Sequence, residues 1–149
     1  RCALDEKINR IHQMFKDLQL EVHMTSSLIF TNLNDFKKAY EECELVFMLN
    51  EQSAPLVSFE EVEEKTLLYQ IDSEIRERFK KRIIGDLDEQ SIATLKIFFH
   101  NNLNISQTAK HLYIHRNTLL YRLEKCKTVT GLNPKKYSEA LKLQIAMWC

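Results

Sequence analysis

A chain of 149 residues, 44% apolar and 28% charged, is long enough to bury a real core and holds either one domain or two small ones. Its net charge of zero hides a division: residues 1–90 carry 12 Lys and Arg against 19 Asp and Glu, whereas residues 91–149 carry 9 against 2. No apolar run approaches the ~20 residues of a membrane span, and with only Gly85 and Gly131 available there is no glycine-rich loop to cradle a phosphate.

The chain opens on Arg1 rather than Met, inside a predicted helix, and so reads as a fragment of a longer protein. Leu4, Ile8, Ile11, Phe15 and Leu18 recur at helical spacing, and a strand is expected near Leu20 to Phe30. The next predicted helix ends at Leu49, takes Asn34 as its cap, and puts Phe36, Ala39, Tyr40 and Cys43 on one face. From Gln52 the pattern reads as a loop containing Pro55, a short strand at Leu56 to Phe59, and a solvated acidic turn at Glu60, Glu61, Glu63 and Glu64.

A helical stretch begins at Thr66 to Ile71 and restarts at Asp72 or Ser73, with Ile75, Phe79 and Ile83 inward. Arg76, Arg78, Lys80, Lys81 and Arg82 read as its solvated face, with added phosphate contacts as the alternative. Gly85 suits a helix end, and Asp86 or Asp88 suits the cap of a helix from Glu89 to His100, whose Ile92, Leu95 and Phe99, widened by Phe98, supply one wall of a core.

The stretch from Asn101 to Lys127 then reads as two short helices joined by a tight turn. Asn104 caps the first, with Gln107 three residues on, where a capping-box side chain reaches back. Ile105, Ala109 and Leu112 form its apolar stripe, and Ala109 is small enough to admit a second helix. That second helix starts near Arg116 and turns Leu119, Leu123 and Cys126 inward. Many such turns place glycine where the chain enters the left-handed region. Here the residue is Tyr113, at an expected cost of roughly 1 kcal/mol. Beyond it, Gly131 is a stop, and Asn133-Pro134 opens a final helix carrying Ala140, Leu141, Ile145 and Trp148, with Leu143 and Met147 on a neighbouring face.

A solvated basic face is the plain reading of any basic helix. Here the turn, the small Ala109 and the paired stripes occur together, and the residues left outward suit nucleic acid. Ser106 and Gln107 on the first helix, and His115, Arg116, Asn117, Thr118 and Tyr121 at the start of the second, are the candidate contacts. Arg122 and Lys125 follow, where they can meet phosphates. An acidic half joined to a basic half matches a regulatory or dimerisation module tied to a DNA reader.

The run NISQTAKHLYIHRNTLLYRLEKCKTVTGLNP resembles the C-terminal helix-turn-helix of the PucR/CdaR transcription regulators of purine catabolism and carbohydrate diacids. His115, Arg116, Asn117, Thr118, Leu119, Tyr121, Arg122 and Leu123 match the HRNTL.YRL core in register. A more distant likeness to the Fis-type helix-turn-helix points the same way. The helix ending at Leu49 resembles the one that ends the degenerate GGDEF-like domain of the same regulators, so the likeness runs weakly through the first half and strongly after Ser91.

The resemblance implies a bacterial, cytoplasmic regulator of a catabolic operon that binds double-stranded DNA as a homodimer. A small-molecule effector would act on an N-terminal region not present here. The expected fold is α+β, with a mixed remnant (1–64), a linking helical segment (65–90) and an all-α helix-turn-helix domain (91–149). A protein-interaction module that no longer reads DNA is the alternative. Catalysis is not expected, because two glycines leave no Gly-Gly-acidic turn for a nucleotide cyclase. Nor do the five histidines form a triad or ligand pattern, and no metal or other cofactor is implied. Cys2, Cys43, Cys126 and Cys149 have no ligand spacing and read as free thiols in a reducing compartment.

Overall fold

A computed structural model describes residues 2–50 and 54–149, with side chains from residue 6 onward. The start of the loop expected from Gln52, the Leu4 position of the first stripe and the thiol of Cys2 lie outside the described residues. The fold is α+β, predominantly helical with one two-stranded sheet, and it divides between Gln70 and Ile71 into two compact units.

The first unit begins with α1 (Cys2–Asp17), which ends through a left-handed residue, Gln19, at φ 58°. The expected strand shrinks to β1 (Met24–Ser26), because only these residues find a partner. They pair in parallel with β2 (Leu56–Ser58), in the register Met24–Leu56, Thr25–Val57 and Ser26–Ser58. A parallel pair needs a crossover, and α2 (Phe36–Leu49) supplies it. Asn34 does not cap that helix. A 3₁₀ turn, Leu33–Asp35, precedes it, and Asn32 Oδ1 accepts the Asn34 N–H at 3.0 Å.

Ala39 and Val46 of α2 turn inward, while Phe36 and Tyr40, expected on the same face as Ala39, remain exposed. The small core is Val46, Val57 and Val62, with Leu49, Ala54 and Phe59 against it. Val62 reveals a further correction: α3 runs Phe59–Tyr69, so the acidic cluster is helix rather than turn, and Thr66 lies inside it. Glu60 and Glu61 sit in its first turn, where the partial positive charge of the helix end favours carboxylates.

The second unit contains α4 (Ser73–Ile84), α5 (Glu89–His100), α6 (Ile105–His111), α7 (Arg116–Thr130) and α8 (Tyr137–Trp148). Asp72 caps α4, its Oδ1 accepting from Glu74 N at 2.9 Å. Gly85 ends α4 with ordinary right-handed φ, and the reason for glycine is close approach, since a Cβ would collide with the Lys81 carbonyl oxygen. α4 packs along α8, and Ile83 and Ile84 join Leu87, Leu95, Phe98, Phe99, Leu119, Leu123 and Leu143 in one core.

Two expectations for the last helix are corrected. It starts at Tyr137, three residues after Pro134, because Asn133 organises a preceding turn instead, its Oδ1 accepting Lys135 N at 3.0 Å. Its buried stripe is Ala140, Leu143 and Ala146, with Leu141 outward and Ile145, Met147 and Trp148 half-buried. Leu143 falls three residues after Ala140, so the stripe follows helical spacing from Ala140, not from Leu141.

Candidate nucleic-acid interface

α5, α6 and α7 form the three-helix arrangement that presents the candidate residues, and each helix start is fixed by a polar side chain. Asp88 Oδ1 accepts Ser91 N at 2.7 Å to cap α5, and Asn104 Oδ1 accepts Gln107 N at 3.0 Å to cap α6. The reciprocal half of the expected capping box is replaced, since the Asn104 N–H donates to the Asn101 carbonyl at 2.9 Å rather than to Gln107. Thr108, fully buried, returns its hydroxyl to the Asn104 carbonyl at 2.7 Å, which lets a polar residue face the core beside Ala109.

The turn between α6 and α7 is a Schellman closure. Ile114 N donates to Ala109 O at 3.0 Å and Tyr113 N to Lys110 O at 3.1 Å. Tyr113 takes φ 53°, the left-handed conformation expected of it, with its side chain 96% exposed. The same closure ends α5, where Leu103 N donates to Phe98 O at 3.0 Å and both Asn102 and Leu103 have positive φ. Because the Tyr113 ring packs against nothing, Tyr113→Gly is expected to remove left-handed strain at no packing cost. It should stabilise the unit by about 1 kcal/mol, a rise of about 4 to 8 °C in melting temperature. A thermal melt reading no gain would show the conformation to be unstrained.

α7 begins at Arg116, with His115 as its cap residue. His115 Nδ1 accepts the Asn117 N–H at 3.2 Å, so the proton of the neutral ring rests on Nε2. Leu119, Leu123 and Cys126 are fully buried, which turns the opposite side of α7 to solvent. Arg116, Asn117, Thr118 and Tyr121 are all exposed there, Tyr121 by 73%, and Ser106 and Gln107 are exposed on the first turn of α6. Glu124, also outward, is held by Lys127 Nζ at 2.6 Å, which pulls its carboxyl below the usual range and offsets its charge.

Arg122 and Lys125 are placed differently. Arg122 is half-buried, and its Nη1 donates to Thr94 Oγ1 of α5 at 3.5 Å. The Lys125 ammonium forms an ion pair with Asp88 at the cap of the same helix. Sequence reading found Asp88 as a cap but missed this second role, and it missed Thr94 altogether, because a pairing across 37 or 28 residues leaves no local signal. Among the described residues no cluster of His, Cys, Asp or Glu could hold a metal ion. His111 faces His100, with ring centroids 6.5 Å apart, while His115 serves as the cap of α7.

Residues 92–149 match the family described as the PucR C-terminal helix-turn-helix domain. Residues 92–149 form a PucR-type helix-turn-helix domain. The PucR-type domain has relatives in the purine catabolism regulatory protein of Bacillus subtilis (strain 168), 40% identical over 60 residues, and the carbohydrate diacid regulator of Escherichia coli (strain K12), 41% identical over 54. Those alignments cover 40% and 36% of this chain, and 11% and 14% of the relatives. A longer likeness, 30% over 112 residues, joins 74% of this chain to 30% of the uncharacterised B. subtilis protein YsfB. The chain thus spans less than a third of the length of each of these relatives.

Proposed function

We propose that this chain is the DNA-reading end of a transcription regulator that binds duplex DNA sequence-specifically and controls a catabolic operon. The observation that carries the reading is the exposed set Arg116, Asn117, Thr118 and Tyr121 on the N-terminal half of a helix whose other face is buried. A major groove admits one α-helix with its N-terminal side chains at base edges, while residues such as Ser106 and Gln107 on the preceding helix lie near the phosphates. His115, exposed at the cap of α7, joins the base-facing set, and Arg122 and Lys125 flank it. The work of this protein is binding rather than chemistry, in the cytoplasm, with the relatives' printed names supporting a catabolic setting.

The experiment is a salt titration of duplex binding by the full chain. With 9 Lys and Arg against 2 Asp and Glu after residue 90, affinity is expected to fall steeply as salt rises, each neutralised phosphate contributing about −0.9 to the log–log slope. A flat response, or no binding at low salt, would leave the protein-interaction reading in its place.

A single reader helix covers few base pairs, so we expect two copies on half-sites about 34 Å apart. Residues 1–64 would serve as a regulatory or dimerisation part, 65–90 as a connecting segment, and a small-molecule effector would act on a region preceding this chain. Light scattering together with footprinting on a selected site checks the assembly. A one-to-one complex protecting a single short half-site at saturation would rule the dimer out.

A further inference from the structure

Asp88 at the cap of α5 and Ser91 and Thr94 within it are spaced three apart, which places them in a row along the helix. Facing them are Lys125, Cys126 and Arg122 of α7. The Lys125 ammonium meets Asp88 Oδ2 and Arg122 Nη1 meets Thr94 Oγ1 at 3.5 Å, while Ser91 and Cys126 are both buried. Asp88 uses both carboxylate oxygens, one on Ser91 N and one on Lys125. Both polar contacts have their own donor and acceptor, so a rotation of α7 about its axis would break the two at once. The apolar contacts beside the row are less demanding, because Leu119 and Leu123 exclude water over a range of helix rotations, whereas hydrogen bonds do not tolerate such latitude.

We propose that this polar row sets the roll of the reader helix, and that Lys125 and Arg122 are positioning residues that aim Arg116, Asn117 and Tyr121 rather than contacts to phosphate. The proposal rests on the DNA-reading function above and refines which residues touch the duplex. A phosphate contact and a positioning contact differ in what their loss does. Removing a phosphate contact weakens all sequences alike and flattens the salt slope by about one unit. Removing a positioning contact degrades discrimination and leaves the slope alone.

The test compares the full chain with Lys125→Met, Asp88→Asn, the double variant and Lys125→Arg, binding one duplex selected from a random pool and one scrambled duplex across a salt series. Asp88→Asn keeps a good helix cap while removing the charge. Each single variant is expected to lower the selected-to-scrambled ratio about three- to fivefold with the slope unchanged, the double variant to lose no more than the worse single, and Lys125→Arg to restore the ratio. A slope shallower by about one unit in Lys125→Met, not reproduced by Asp88→Asn, would overturn the proposal, as would unchanged ratios.

Backbone amide shifts provide a reading that needs no DNA. Movement at Asn117 to Tyr121 in both single variants is expected, and silence there would overturn the row on its own account. Failure of the unaltered chain to bind any duplex would overturn the DNA-reading function instead, and the amide shifts would still decide the row.

Discussion

Phe98→Ala is expected to lower the stability of residues 71–149 by about 3 to 5 kcal/mol, the usual range for deleting a fully buried aromatic side chain. Phe98 is the largest fully buried side chain among the described residues. It sits in the core that joins α4, α5, α7 and α8, with the Phe99 ring centroid 6.1 Å away. The loss combines apolar surface that stays in water with a cavity that α7 and α8 cannot both close. A domain of this size holds about 5 to 15 kcal/mol in total, so the variant should lose a large share of its stability. Urea unfolding followed by circular dichroism measures it. Phe36→Ala, at a position 62% exposed, is the control and should change little. A loss below about 1 kcal/mol at Phe98 would mean that the core is not packed as described.

Arg116→Ala is expected to cost about 1 to 3 kcal/mol on the preferred duplex and to flatten the ranking among single-base variants of it. Arg116 is the first residue of α7, exposed, and beside the cap residue His115, at the end of the helix proposed to enter the groove. A guanidinium fork matches the two acceptors of guanine in the major groove, a contact that alanine cannot replace. Competition binding against a panel of single-base variants reads both effects. An unaltered ranking with uniformly weaker binding would move Arg116 from base to phosphate.

Much of the second unit was legible because its signals are local. Asn104 reads as a cap from the residues that follow it, Asp72 and Asp88 are each one of two nearby cap candidates between which the structure decides, Leu119, Leu123 and Cys126 recur at helical spacing, and Tyr113 stands where the turn demands positive φ. What sequence reading missed depends on partners or on competing signals. Glu60 to Glu64 looked like surface, yet strong helix formers in a first turn beside Phe59, Val62 and Thr66 make an amphipathic start whose apolar positions were outnumbered by charge. Asn133-Pro134 carries a genuine turn signal, which the chain uses three residues before the helix it was assigned to. Tyr40 and Phe36 share a helix with Ala39, but which side of α2 turns inward is decided by α3, β1 and β2, and no periodicity within α2 contains that information. The ion pair from Lys125 to Asp88 belongs to the same class, since only the packing of α5 on α7 joins the two residues.

The half-buried side chain near the end of α8 has a practical consequence. Trp148 is the single tryptophan of the chain, and it belongs to residues 71–149. Fluorescence excited at the red edge of the protein spectrum therefore reports that unit alone, whereas far-ultraviolet ellipticity sums the helices of both. Coincident transitions by the two probes would indicate that the halves unfold as one cooperative body. An ellipticity change that precedes the tryptophan change would resolve residues 1–70 as a separately melting body, and the gap between the curves would give the two halves their own stabilities without cutting the chain.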